Sequence, residues 1–128
     1  QLGAAAALAS WELLHQPKAK VRRKSMERVL ARELDSLWAL AAVGDVRREG
    51  LVAGVELVAH WKTRRAFALK DRAGIRVCEA MARRGVLTRP IGNVIPLLPP
   101  YCTTDAQLRR MVRVLRESIT EVLGAGQV

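Results

Sequence analysis

Residues 85–100 read GVLTRPIGNVIPLLPP, and the reading of this stretch decides the architecture. Val86 to Thr88 is a short apolar run that ends on Arg89. Pro90 stiffens the next position by holding its φ near about −65°. Gly92-Asn93 is a two-residue turn of hairpin composition, and Val94 to Leu98 is a second apolar run that Pro99-Pro100 breaks. The spacing predicts paired strands over 86–89 and 93–98, with Arg89 at a strand end. Pro96 cannot donate to a ladder, so its strand is expected at an edge or bulged. A guanidinium is a planar fork that grips a carboxylate through two parallel hydrogen bonds, and a rigid mount gives such a grip its precision. The plain alternative is a solvated charge, because Lys and Arg together number 22.

Working outward, residues 69–84 predict a helix with Ile75, Cys78, Met81 and Ala82 inward, stopped at Gly85. Val43 to Arg48 and Leu51 to Val58 predict two strands around Glu49-Gly50. Both faces of the second are apolar apart from Glu56, as in a well-covered strand. Glu56 is expected to be a structural ion-pair or hydrogen-bond partner, since no second carboxylate stands near it to form an acid–base pair. Residues 59–68 have no clear period and read as a surface loop.

Residues 3–15 predict a helix with Leu8, Trp11 and Leu14 on one apolar side, ended by Gln16-Pro17. A second helix is expected from Ala19 to Leu40, with Val21, Met26, Val29, Leu30, Leu34 and Leu37 on one face. After the double proline, Tyr101 is placed to line a pocket mouth or to pack structurally, and packing is the expected role. Thr104 and Gln107 then form a capping box. Leu108, Met111, Val112, Leu115, Ile119, Val122 and Leu123 make one helical stripe, ended by Gly124. The fold class is α/β of the α+β kind: a small domain with a mainly antiparallel sheet of about four strands packed against helices.

At 128 residues, half of them apolar and 27% charged, the chain has the size and balance of one globular domain. It begins at Gln1 directly in helical sequence and is expected to be a piece of a longer protein. The Ala4–Ala9 run lacks a charged leader and a cleavage pattern. Trp11, Glu12 and His15 leave it too short to span a bilayer. No membrane partner is expected. Cys78 and Cys102 do not make a disulfide framework, and His15 and His60 have no metal-ligand spacing, so a cytoplasmic location is expected. The net charge of +10 raises a rival, a basic α/β RNA-binding module. Only five residues are aromatic, and the strands lack stacking rings, which argues against nucleic acid.

The segment GVLTRPIGNVIPLLPP resembles the Arg-Pro-x-Gly block near the C-terminus of class III aminotransferases, which depend on pyridoxal 5'-phosphate. LGAAAALASWELL, VGDVRREGLVAGVELV and TTDAQLRRMVRVLRESITEVL resemble further blocks of that family in order and spacing. Likeness is strongest to the branch that converts 8-amino-7-oxononanoate to diaminopelargonate in biotin biosynthesis. An ω-amino-acid class III aminotransferase is the alternative.

The resemblance implies that residues 1–18 link to a missing large domain, and that 19–128 form the C-terminal small domain. It also implies a homodimer, and an amino donor that is S-adenosylmethionine or another amine. The Schiff-base lysine and the cofactor site fall in the large domain. None of Lys18, Lys20, Lys24, Lys62 and Lys70 has the family's surrounding motif, so this segment is expected to be inactive alone. By position, Arg89 takes the substrate's carboxylate. Two departures stand out: Pro96 replaces a usual aromatic or β-branched residue, and Trp11 replaces a usual aliphatic.

Overall fold

A computed structural model describes residues 1–124. Four helices, α1 (Leu2–His15), α2 (Pro17–Asp35), α3 (Ala73–Arg83) and α4 (Asp105–Leu123), accompany four strands, β1 (Val43–Glu49), β2 (Val52–His60), β3 (Arg65–Ala66) and β4 (Val94–Leu97). Every strand pair is antiparallel and β2 pairs with all three others, so the expected α+β layer architecture is present.

The core lies between one face of the sheet and helices α2, α3 and α4, with α4 between the other two. From α2 come Met26, Leu30 and Leu34, from the following 3-10 turn Leu37, and from β2 Ala53, Val55 and Leu57, all buried. Of the expected α4 stripe, Leu108, Val112, Leu115 and Ile119 are buried and Met111, Val122 and Leu123 half-buried, and Val114, outside that stripe, is buried as well. Removing such a side chain from water is worth about 1.5–3 kcal/mol each. The capping box forms as expected: Gln107 N–H donates to Thr104 Oγ1 at 3.3 Å, and Thr104 N–H donates to Gln107 Oε1 at 2.8 Å.

Several expectations are corrected. α2 starts at Pro17, whose missing N–H costs nothing at a first helical position, and the regular helix ends at Asp35 with a 3-10 turn over Ser36–Ala39. Val21 is exposed on it. The helix expected over 69–84 is split, because Arg72 adopts a left-handed φ of 49° between a 3-10 turn and α3. Val77 and Ala80 are buried in α3, whereas Ile75 and Ala82 are exposed. Residues 59–68 are not all loop: β2 runs to His60, and Arg65–Ala66 folds back to pair with it. The second face of β2 is less covered than expected, with Val52 53% exposed.

The largest correction concerns residues 86–89, which form no strand. β4 pairs with β2 instead, matching Ala53 to Leu97 and Glu56 to Val94. The Leu57 N–H donates to the Asn93 carbonyl at 2.9 Å, which places the ladder bonds on the Leu57, Val55 and Ala53 rungs. Pro96, opposite Gly54, therefore turns its donor-less nitrogen toward the 86–91 segment. A second ladder there lacks its donor, so β4 is an edge, as the proline predicts.

α1 buries none of its residues. Its end is fixed to α2, where the Arg23 guanidinium donates to the Leu14 carbonyl at 2.7 Å. Arg22 ties α2 to the start of α4 through the Thr103 carbonyl and Asp105, at 2.9 and 2.7 Å. Among the described residues no helix is long and apolar enough to cross a membrane.

Candidate functional site

The segment carrying Arg89 leaves α3 through a glycine stop of the kind its sequence predicts. Gly85 takes φ 78°, its N–H donates to the Ala82 carbonyl at 2.9 Å, and the Val86 N–H donates to the Met81 carbonyl at 3.0 Å. These are the paired bonds of a Schellman motif. The chain then runs extended and alternates its exposure. Thr88 and Pro90 are half-buried, while Leu87, Arg89 and Ile91 are exposed, Leu87 by 89% and Ile91 by 70%. Alternation is what an extended backbone imposes. The result is an outward stripe of one guanidinium between two large aliphatic side chains.

Although no strand holds it, the stripe is anchored on its inner side. The Thr88 hydroxyl donates to the Pro96 carbonyl at 2.6 Å. Ile91 and Val94 exchange backbone bonds at 2.8 and 3.0 Å around Gly92-Asn93. Gly92 carries a φ of 60°, which favours glycine, and Asn93 does not, the pattern of a type II′ turn. Asn93 Nδ2 donates to the Phe67 carbonyl at 2.9 Å. Gly74, in the first turn of α3, is buried against the same turn. Thr88 and Asn93 are legible in the sequence only as strand and turn residues, without these partners, and Gly74 carries no expectation at all. The available cue is an isolated glycine inside the helical pattern over 69–84, where it costs stability and so points to a packing requirement.

Arg89 has no hydrogen bond or ion pair with the described residues, in contrast to many arginines here. It lines neither nearby hollow. One, of about 330 Å³, runs between Val86, Thr88, Leu98, Pro100 and the Arg110–Met111 side of α4. The other, of about 120 Å³, separates Pro90 and Gly92 from Arg72 and Ile75. Arg89 stands on the outer surface, free to meet a group brought to it.

Other candidate residues resolve as structure. Glu56 accepts from Arg47 at 3.3 Å, and Asp45 lies 3.3 Å from the same guanidinium, so Glu56 is the ion-pair partner expected of it. Tyr101 is 53% exposed, so its packing is a surface contact under the Arg23 guanidinium, 5.4 Å from the ring centre, and it borders two surface hollows. Trp11 stacks on His15 with ring centres 4.1 Å apart. Both cysteines are free; Cys78 is buried, and burial pushes its thiol up to about 11. Among the described residues no group of three or more His, Cys, Asp or Glu is placed to hold a metal ion.

The outer sheet face, by register, presents Asp45, Arg47, Glu49, Val52, Gly54, Glu56, Val94 and Pro96. None is aromatic, so the stacking platform of an RNA-binding sheet is missing from it. All five lysines are exposed. None is the enclosed, desolvated amine that a pyridoxal phosphate Schiff base requires, so the residues described do not fit that cofactor's cradle.

The family profile for class-III aminotransferases matches residues 1–119. The chain belongs to the class-III aminotransferases. This class-III chain is 37% identical over 121 residues to the adenosylmethionine-8-amino-7-oxononanoate aminotransferase of Anoxybacillus flavithermus, covering 94% of this chain and 27% of that protein. The enzyme of the same name from Nitratidesulfovibrio vulgaris is 40% identical over 126 residues, covering 98% and 23%. A crystal structure of the Methanocaldococcus jannaschii enzyme of that name superposes with a TM-score of 0.85 at 35% identity, over 91% of this chain and 27% of that one. The class-III chain therefore spans about a quarter of the length of the curated relatives it matches.

Proposed function

We propose that this chain is the substrate-anchoring small domain of a pyridoxal-phosphate-dependent transaminase whose acceptor is a carboxylate-bearing oxo acid, 8-amino-7-oxononanoate by likeness to its relatives. The observation that carries the proposal is the outward stripe Leu87, Arg89, Ile91, with the guanidinium unpaired among the described residues and its backbone anchored. An unpaired arginine between aliphatic side chains suits a molecule with a carboxylate at the end of a hydrocarbon chain. Clamping that distant carboxylate fixes where the reacting carbonyl lies, which removes orientational freedom before the chemical step.

Pyridoxal phosphate supplies the electron sink of transamination, and its lysine and phosphate contacts are assigned to polypeptide outside this segment. Residues 1–18 join the two parts: α1 is unburied here and apolar around much of its surface, with Leu2, Leu8, Trp11 and Leu13 exposed, which suits it to packing on the larger domain. The assembled enzyme is a cytoplasmic homodimer in this reading, with S-adenosylmethionine or another amine as donor. The segment alone carries no transamination, and amino transfer by purified residues 1–128 would overturn that part.

Arg89→Ala in the full-length enzyme tests the clamp. Loss of a charge-assisted pair is worth about 1.5–3 kcal/mol, so KM for the oxo acid rises by about tenfold to over a hundredfold. An unchanged KM removes Arg89 from the site.

A further inference from the structure

The anchoring of Arg89 depends on an atom that is missing by design of the sequence. Gly74 is buried in the first turn of α3, facing the Pro90–Gly92 turn. A Cβ at this position would lie 2.4 Å from the Gly92 carbonyl oxygen and 2.9 Å from Pro90 Cβ. The first of these is a backbone atom in a turn already closed by the Ile91–Val94 bonds, so it cannot step aside as a flexible side-chain end does. Glycine in a helix gives up stability relative to alanine, and here it allows helix and turn to touch. The Asn93 amide on the Phe67 carbonyl, at 2.9 Å, is a second point at which the approach to α3 holds the same turn.

We propose that Gly74 is a positioning residue for Arg89, acting through the Pro90–Gly92 turn to set where the guanidinium meets the substrate carboxylate. The inference rests on the reading of Arg89 as the carboxylate clamp. Arg89 is bonded directly to Pro90, and a residue before proline is confined to extended backbone. A shift of the turn is therefore passed to Arg89 rather than absorbed between them. Bidentate grip tolerates only about 0.5 Å of displacement, and opening a 2.4 Å separation to the 3.4 Å of ordinary contact needs more than that. The expected consequence is selective. Binding that uses the carboxylate weakens, while binding that does not use it stays.

The test compares the oxo acid with its methyl ester, which lacks the charged group, in the full-length enzyme. The parent, Gly74→Ala, Arg89→Ala and the double variant are measured for kcat/KM and for calorimetric Kd on both compounds. Gly74→Ala is expected to lower the preference for acid over ester by about tenfold or more. It should leave ester turnover near the parent and add nothing further to Arg89→Ala. If Arg89→Ala retains the preference, the clamp reading itself fails. If Arg89→Ala abolishes it and Gly74→Ala does not touch it, the role of Gly74 is overturned while the clamp stands. Equal losses on acid and ester, or additive losses in the double variant, also overturn it, because they report general damage. Should Gly74→Ala fail to fold by circular dichroism, Asn93→Ala decides instead. It loosens the same turn without an overlap, so a reduced acid preference supports the inference and an unchanged one sinks it.

Discussion

Replacing Thr104 by alanine removes two of the three bonds of the cap that starts α4, and the geometry sets how much should be lost. One is accepted by its hydroxyl, and the other is donated by it to Gln107 Oε1 at 3.0 Å. The Gln107 N–H reaches Thr104 Oγ1 at 3.3 Å, a long bond, while the return bond from Thr104 N–H to Gln107 Oε1 is 2.8 Å and survives the substitution. The Asp105–Arg22 pair at 2.7 Å, which also holds the first turn, survives as well. The loss therefore falls in the middle of the usual range, at about 1 kcal/mol out of about 0.5–2. It does not stay local, because Leu108, fully buried, sits one turn into the helix. For a domain of this size the midpoint of thermal unfolding should fall by about 3–5 °C. The urea midpoint should fall by about 0.5 M with an unchanged slope. Circular dichroism melts of the 128-residue chain and of Thr104→Ala give both numbers. Thr104→Ser keeps the acceptor oxygen and should recover most of the loss. A melt of Thr104→Ala indistinguishable from the parent would refute the capping argument. So would a Thr104→Ser as unstable as the alanine variant, since the loss would then lie in methyl packing.

Thiol chemistry should separate the two cysteines: Cys102 is exposed and Cys78 buried with its thiol raised to about 11. At pH 8 a maleimide should label Cys102 at once and Cys78 only on unfolding, as followed by mass spectrometry of the peptides; equal rates in the native chain would contradict the packing of α3. The exposed tie between α3 and α4 should weaken in acid. Glu121 is held below the usual carboxylate range by hydrogen bonds from Arg84 and then Arg83. A depressed folded-state pKa contributes stability that is complete above the unfolded value, near 4.5, and is lost as pH falls through the folded one. Glu121→Gln should therefore flatten the acid limb of a melting-temperature profile below that pH, by a small amount that high salt erases. An acid limb identical to the parent's would show that the carboxylate does not feel its arginines.

Much of this molecule is written locally. The α4 cap, its apolar stripe, the glycine stop at Gly85 and the Gly92-Asn93 turn each depend on residues a few positions apart, and each appears where the sequence places it. Backbone geometry and side-chain hydrogen bonding act over that range, so a single chain without relatives suffices to read them. The choice of Arg89 came from likeness to a family, and chemistry alone ranked it no higher than a solvated charge.

Short-range patterns therefore account for the four helices and for β1, β2 and β4 in their order, for most of the buried face of α2 and α4, and for the edge position of the strand carrying Pro96; they do not give β3, and they put a strand at 86–89 where none forms. The fold as a whole settles which strand β4 joins, that residues 86–90 form no ladder with it while Ile91 alone bridges to Val94, and that Thr88 faces inward while Arg89 faces out. A period of two says that a segment is extended and never names its partner. The close approach of Gly74 to Gly92 was likewise invisible, because it depends on how α3 is laid against a turn 18 positions further along the chain. Contacts between distant segments are set by the packing of the whole core.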